Sequence, residues 1–246
     1  MKELSSHHNR YILESARLHD PRARNALRAF LAEGARTIET LMHAGASIEA
    51  IFFVDELTAP DTNLGVERYR VTPKIMKKLS GAHTPSGIIA RIGLPERTAL
   101  VTQKALILHG LQDPGNVGTL IRSAVACGIS EIACIETADP YSYKSVQASA
   151  GTIGYATVGR WSWQEICAMK KAPLIALTPR GGTAPRYRDS GWFVVGSEGH
   201  GLPESVLTTC DERCTLPMPG SAESFNAAVA GSLALYISSV SLEYTP

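Results

Sequence analysis

No run of 18 apolar residues occurs in this sequence, so no segment of it is expected to span a membrane as a helix. Its five cysteines, Cys127, Cys134, Cys167, Cys210 and Cys214, are odd in number and form no C-x-x-C pair. That usage speaks against a disulfide framework and a structural zinc site, and for a reducing compartment. Cys210 and Cys214 lie near each other without a companion histidine and read as small apolar groups. The opening stretch, MKELSSHHNRYILESARLHD, has no apolar core of the kind a secretory signal needs. Internal repeats and low-complexity tracts are missing too. Net charge is only +1, so overall balance does not point to nucleic acid. Its distribution is less even: residues 1–98 carry 14 Lys and Arg against 11 Asp and Glu, and five of the seven histidines. A mildly basic front half is compatible with a polyanionic partner and equally with an ordinary solvated surface.

What is present is a chain of 246 residues, 44% hydrophobic and 19% charged, enough for one large or two small globular domains with real cores. Residues 9–31 predict two short amphipathic helices broken at Pro21. FLAEG is a short apolar segment with a turn, and residues 36–44 predict a helix ended by Gly45. SIEAIFFVD, ERYRVTP and IIARIGL read as strands, residues 58–65 as loop, and PKIMKKLSG as a helix with Pro73 in its first turn. A boundary falls between Pro95 and Gln103, giving domains 1–96 and 97–246. In the second domain strands at ALILHG, EIACIE, PLIALTP, WFVVG and CTLPM alternate with helices at VGTLIRSAVACG, SYKSVQASAGTIG, SWQEICAMKK, LPESVL and 225–242. That alternation means an α/β fold with a mostly parallel sheet covered on both faces.

Three stretches could carry chemistry. LQDPGNVGTLIRSA, residues 111–124, leaves the carboxyl end of a strand, where α/β sheets bind ligands. Taken alone, Asn116 reads as a helix cap and Arg122 as a surface arginine. GSEGHG, residues 196–201, follows the buried strand WFVV. Its glycines allow close backbone approach to a ligand, with a tight structural turn as the plainer alternative. Its pattern is not G-x-G-x-x-G, and no such triplet follows Gly110, which disfavours a nicotinamide or flavin enzyme. TLPMPGSAESFNAAVA, residues 215–230, sets Leu216, Met218 and Phe225 beside loop amides. Apolar walls with backbone groups at the edges suit a purine joined to a thioether. Two strand ends, each followed by a loop and a helix, make a crevice.

Together DPGNVGTLIRSA, FVVGSEGHGL and LPMPGSAESFNAAVA resemble, in order and spacing, the three motifs of the TrmH (SpoU) family of the SPOUT superfamily, the S-adenosylmethionine-dependent RNA ribose 2′-O-methyltransferases. FLAEGARTIETL and HTPSGIIA are similar to the small ribosomal-protein-like α/β domain that precedes the catalytic domain in the ribosomal-RNA branch. The resemblance spans residues 4–242. It implies a deep trefoil knot in the C-terminal part, an exception to ordinary chain connectivity, and a homodimer with both subunits contributing to each site. It implies catalytic positions at Asn116, Arg122, Glu198, Ser224 and Asn226, and a methyl-donor site at Thr178, Gly196, Leu216, Met218 and Phe225. Phe225 stands where the family usually has Leu, and Gln147 where many members have Arg.

The implied reaction moves a methyl group from a sulfonium to a ribose 2′-hydroxyl and needs no metal. A guanidinium has a pKa above ~12 and no acceptor while protonated. Arg122 is therefore expected to hold a phosphate and the 2′-oxygen and stabilise the developing alkoxide. Glu198 is expected to orient Arg122 or Asn116, and Ser224 and Asn226 to fix the ribose and the loop. Arg24, Arg28 and Arg36 are candidate phosphate contacts in the front domain. Large-subunit ribosomal RNA is the expected substrate. Transfer RNA and a non-catalytic RNA-binding role are the alternatives. The expected location is cytoplasmic, although an organellar member without its transit peptide would look similar.

Overall fold

A computed structural model describes residues 2–6, 8–55 and 65–240. Its contacts divide the chain into two compact units, residues 1–96 with 141–155, and residues 97–140 with 156–246. Up to residue 64, the loop expected at 58–65 lies outside the described residues, as do the last two residues of the helix expected at 225–242.

The first unit begins with strand β1 (Lys2–Leu4) and helices α1 (Arg10–Ala16) and α2 (Pro21–Leu27). Asn9 caps α1 through its Oδ1, and Asp20 caps α2 ahead of Pro21, so the break falls at the proline as the sequence predicts. Strand β2 (Ala29–Glu33), helix α3 (Ala35–His43), strands β3 (Ile48–Phe53) and β4 (Glu67–Val71), helix α4 (Pro73–Leu79) and strand β5 (Ile88–Gly93) follow. The strands form one sheet ordered β1-β4-β3-β5-β2. β5 runs antiparallel to both neighbours and the other pairs are parallel. The FLAE segment is thus a fully buried edge strand rather than a mere apolar connector. Arg28 makes the sharp transition into it, closing α2 in the left-handed region at φ 48°.

One expectation fails in this unit. Arg24 is only 3% exposed. Its Nη1 donates to the carbonyls of Leu18 at 2.6 Å and His19 at 3.0 Å. A guanidinium spent on carbonyls left free at a helix end is a structural group, and Arg24 is not a surface phosphate contact. Arg28 donates to the carbonyls of Leu94 and Pro95 at 3.3 and 2.8 Å, while Arg36 is exposed.

The second unit carries strand β6 (Lys104–His109), helix α5 (Pro114–Ala126) and strand β7 (Glu131–Ile135). Residues 141–155 then make their contacts in the first unit, with helix α6 (Tyr143–Ala148) and a 3-10 turn at Thr152–Tyr155. The sequence reading runs one helix through this stretch. Ala150 and Gly151, both with positive φ, separate the two pieces. The chain resumes with strand β8 (Thr157–Arg160), which the sequence reading lacks, then α7 (Trp163–Met169), β9 (Leu174–Leu177), β10 (Gly191–Val195), α8 (Glu204–Leu207), β11 (Glu212–Cys214) and α9 (Ala227–Ser239). The sheet order is β11-β9-β10-β6-β7-β8, and every pair is parallel. β6 and β10 are the central strands and are almost wholly apolar and buried.

The strand expected at CTLPM is displaced toward the N-terminus. Its ladder ends at Cys214, and residues 215–218 are loop. Pro217 and Pro219 cannot donate to a ladder, which stops the strand just where the expected one begins. The connection into β6 is fixed by buried Glu131, whose carboxylate accepts from the backbone N–H groups of Val101 and Thr102 and from the Thr102 hydroxyl. The cysteines are free. Burial pushes the Cys134 and Cys210 thiols up to about 11, which disfavours their reactive thiolate forms. Among the described residues no helix is long and apolar enough to cross a membrane, and no cluster of His, Cys, Asp and Glu could hold a metal ion.

Candidate active site

The carboxyl ends of β9 and β10, with β11 and the loop that follows it, face a cavity of about 540 Å³. Its apolar side is built by Leu177, Val195, Leu216, Met218 and Phe225, and its rim by Thr178, Ser197, Glu198 and Ser224. Leu216 is 8% exposed and forms part of the floor, whereas Phe225 is 43% exposed. The Thr178 N–H donates to the Cys214 carbonyl at 2.8 Å, and its hydroxyl lies 3.1 Å from that of Thr215. These bonds tie the loop after β9 to the loop after β11.

The turn after β10 depends on its glycines. Ser197 and Gly201 exchange two backbone hydrogen bonds, at 3.1 and 3.0 Å. Gly201 has φ +65°, a conformation that side chains with a Cβ rarely adopt. A Cβ on Gly196 would stand 2.5 Å from the Gly201 carbonyl carbon. The turn therefore folds back directly over Gly196 and presents Glu198 outward.

Three sequence motifs converge at this turn. Asn116, in the first turns of α5, donates from Nδ2 to Glu198 Oε1 at 2.5 Å. Asn226 donates from Nδ2 to Asn116 Oδ1 at 3.3 Å. Asn226 is also the cap of α9, its Oδ1 accepting from the N–H groups of Ala228 and Val229. The short reading of Asn116 as a helix cap is thus incorrect: Asp113 caps α5, and the Asn116 amide is spent on Glu198 and Asn226. Both ends of that amide are engaged, so its orientation is fixed. A neutral, directional group between a carboxylate and an amide can position a hydroxyl; it is not itself a base.

Ser224 is exposed at the rim. Arg122 is exposed on α5, and among the described residues its guanidinium has no hydrogen bond or ion pair. Within one chain, then, Asn116, Glu198 and Asn226 are brought together and Arg122 is not joined to them. The sequence reading also missed Arg180 and Arg213, which line the cavity. The signal for Arg180 was its place directly after the strand PLIALTP.

Gln147, where the resemblance leads one to expect Arg, donates from Nε2 to the Glu33 carbonyl at 2.8 Å. The Glu33 carboxylate is itself buried and accepts from the Ser80 hydroxyl and the Ser86 N–H. Gln147 therefore has a structural partner inside the first unit.

Residues 103–236 match the model of the SpoU rRNA Methylase family, and residues 9–90 match an MRM3-like substrate binding domain. The chain is 28% identical to the 23S rRNA (guanosine(2553)-2'-O)-methyltransferase RlmP of Bacillus subtilis (strain 168), over 96% of this chain and 98% of that one. The crystal structure of an RNA 2'-O ribose methyltransferase superposes with a TM-score of 0.79 at 30% identity, covering 95% of this chain and 96% of the other. An AdoMet-bound rRNA methyltransferase from Sinorhizobium meliloti shares the fold, with a TM-score of 0.82 at 23% identity, covering 95% of each chain.

Proposed function

Because the chain belongs to the SpoU rRNA Methylase family, we propose that it transfers a methyl group from S-adenosylmethionine to a ribose 2′-hydroxyl of large-subunit ribosomal RNA. The observation that carries this reading is the chain of hydrogen bonds from Asn226 through Asn116 to Glu198 at the edge of the cavity. It joins all three family motifs at one point. The second unit has the α/β fold of the trefoil-knot methyltransferases, and the enzyme is S-adenosylmethionine-dependent.

The residues present fit that donor. An apolar floor at Leu216 and Met218 faces a cavity of about 540 Å³ bounded by glycine-rich backbone, which suits a flat purine and a thioether-like chain. When bound, the donor supplies the methyl carbon and the sulfur leaving group. The protein's part is alignment and charge. Asn116, held by Glu198 and Asn226, orients the ribose; Ser224 contacts it from the rim. Arg122 stabilises negative charge developing on the 2′-oxygen. Phe225, larger than leucine and partly exposed, closes over the purine face. The first unit supplies RNA contacts, with Arg36 and Arg28 as phosphate partners. RNA so bound will lose affinity steeply with salt. The location proposed with this substrate is the cytoplasm.

This reading is tested by titrating S-adenosylhomocysteine calorimetrically into the protein. The wild type should bind one molecule per chain. Leu216→Asp, which sets a carboxylate in the apolar floor, should weaken binding at least about tenfold without unfolding the protein. An unaltered affinity would remove the donor from this cavity.

We also infer a homodimer that completes the site. Val229, Leu233 and Tyr236 are 46%, 39% and 54% exposed and recur at the four- and three-residue spacing of one helix face on α9. α9 lies against α5, with the Ser123 and Ser232 hydroxyls 2.7 Å apart, and α5 carries Arg122, which has no partner among the described residues. A second copy covering this face would bury the apolar row and could take Arg122 to the neighbouring Asn116 cluster. Leu233→Glu should convert the dimer to a monomer in light scattering after size exclusion, and should abolish methylation. A monomeric wild type would refute the shared site.

A further inference from the structure

We propose that Arg180 is the anion-binding group of the cavity and takes the carboxylate at the amino-acid end of the methyl donor. This rests on the reading of the cavity as the S-adenosylmethionine site and adds a residue to it.

The sheet order gives the cavity two poles. On the β10 and β6 side lies the Asn116–Glu198–Asn226 cluster, where the methyl group must be delivered. On the β9 and β11 side lie two cations, Arg180 and Arg213. They are not equivalent. Arg213 has a carboxylate partner, Glu204, at 3.9 Å. Arg180 is exposed, and among the described residues it has no hydrogen bond or ion pair. A guanidinium without a partner among the described residues, at the edge of a cavity with an apolar floor, is poised for a planar carboxylate, which it can hold through two parallel N–H bonds.

The loop that carries Arg180 is anchored from two residues beyond it. Its neighbour Gly182 donates its N–H to the Thr215 hydroxyl at 2.9 Å. Thr183 donates to the Arg213 carbonyl at 3.0 Å, and Thr215 donates back to the Thr183 carbonyl at 2.8 Å. A Cβ on Gly182 would lie 2.7 Å from the Arg213 carbonyl carbon and oxygen, so this loop can lie close against β11 only with glycine there. Thr215 immediately precedes Leu216 of the floor. The loop that carries the cation and the floor that would hold the purine are thereby one braced unit, which limits the ordering cost of binding.

The test separates the amino-acid end of the ligand from its nucleoside end. S-adenosylhomocysteine and 5′-methylthioadenosine, which lacks the amino acid, are each titrated into wild type and Arg180→Gln. The proposal expects Arg180→Gln to weaken S-adenosylhomocysteine about 10- to 100-fold, the range for a hydrogen-bonded charged group, and to leave 5′-methylthioadenosine unchanged. Equal weakening of both ligands would assign Arg180 to the loop or the nucleoside and overturn it. Unchanged S-adenosylhomocysteine affinity with weakened RNA binding would overturn it in favour of a phosphate contact. Failure of both ligands to bind the wild type would instead remove the donor-site reading, and the proposal with it.

Discussion

Replacing Arg122 by lysine should lower the methylation rate about 100- to 1000-fold, the scale for loss of one group that stabilises a developing oxyanion. The affinity for S-adenosylhomocysteine should stay as in the wild type, because Arg122 does not line the cavity. The charge is retained in this variant, so the loss would report geometry. A guanidinium presents a rigid planar fork that can span a phosphate oxygen and the ribose oxygen together; an ammonium is a single point of charge. Single-turnover rates at saturating RNA and donor separate this from weaker binding. A lysine variant with near-normal turnover would mean that Arg122 supplies only diffuse positive charge, and its assigned role would fall.

Gly196→Ala should cost both the donor site and stability. The added methyl group would meet the carbonyl carbon and oxygen of Gly201 and the nitrogen of Leu202, at 2.5 to 2.7 Å. All three are backbone atoms, so no side chain can turn aside to make room. The two hydrogen bonds between Ser197 and Gly201 must then stretch or break, and Glu198 would move away from Asn116. Overpacking of this kind typically costs about 1–3 kcal/mol, measurable by urea unfolding, and S-adenosylhomocysteine binding should become undetectable. Wild-type stability and affinity in this variant would show that the turn is looser than its contacts imply.

The contrast between these two residues reflects what a sequence can reveal. GSEGHG was legible as a turn because glycine has few other reasons to recur so densely after a buried strand. The regular alternation from ALILHG onward was legible because buried parallel strands are continuous apolar runs. β2 was harder: FLAE is short, follows a helix directly, and becomes a strand only because Arg28 adopts a left-handed conformation that favours glycine. β8 is four residues with a central glycine and leaves almost no periodic signal. Residues 141–155 read locally as helix in the second domain, yet their partners are in the first unit, which is information about packing and not about propensity. Arg24 illustrates the same limit. Its burial depends on the carbonyls of Leu18 and His19, and nothing in its immediate neighbours distinguishes it from Arg36 on the surface. At the site, the resemblance located Asn116, Glu198 and Asn226 as separate motifs. Their direct hydrogen bonding required the fold, and so did the finding that Arg180 has no partner among the described residues.

The measurement that bears most directly on the whole account is a map of 2′-O-methyl groups. Unmethylated large-subunit ribosomal RNA is incubated with S-adenosylmethionine and either the wild type or Arg122→Lys, and each ribose is then scored by its resistance to alkaline cleavage. The account predicts a newly protected ribose in that RNA with the wild-type protein, greatly reduced with the variant, and none in transfer RNA. Protection confined to transfer RNA would contradict the substrate; no protection in any RNA, from a protein that still binds S-adenosylhomocysteine, would contradict the reaction.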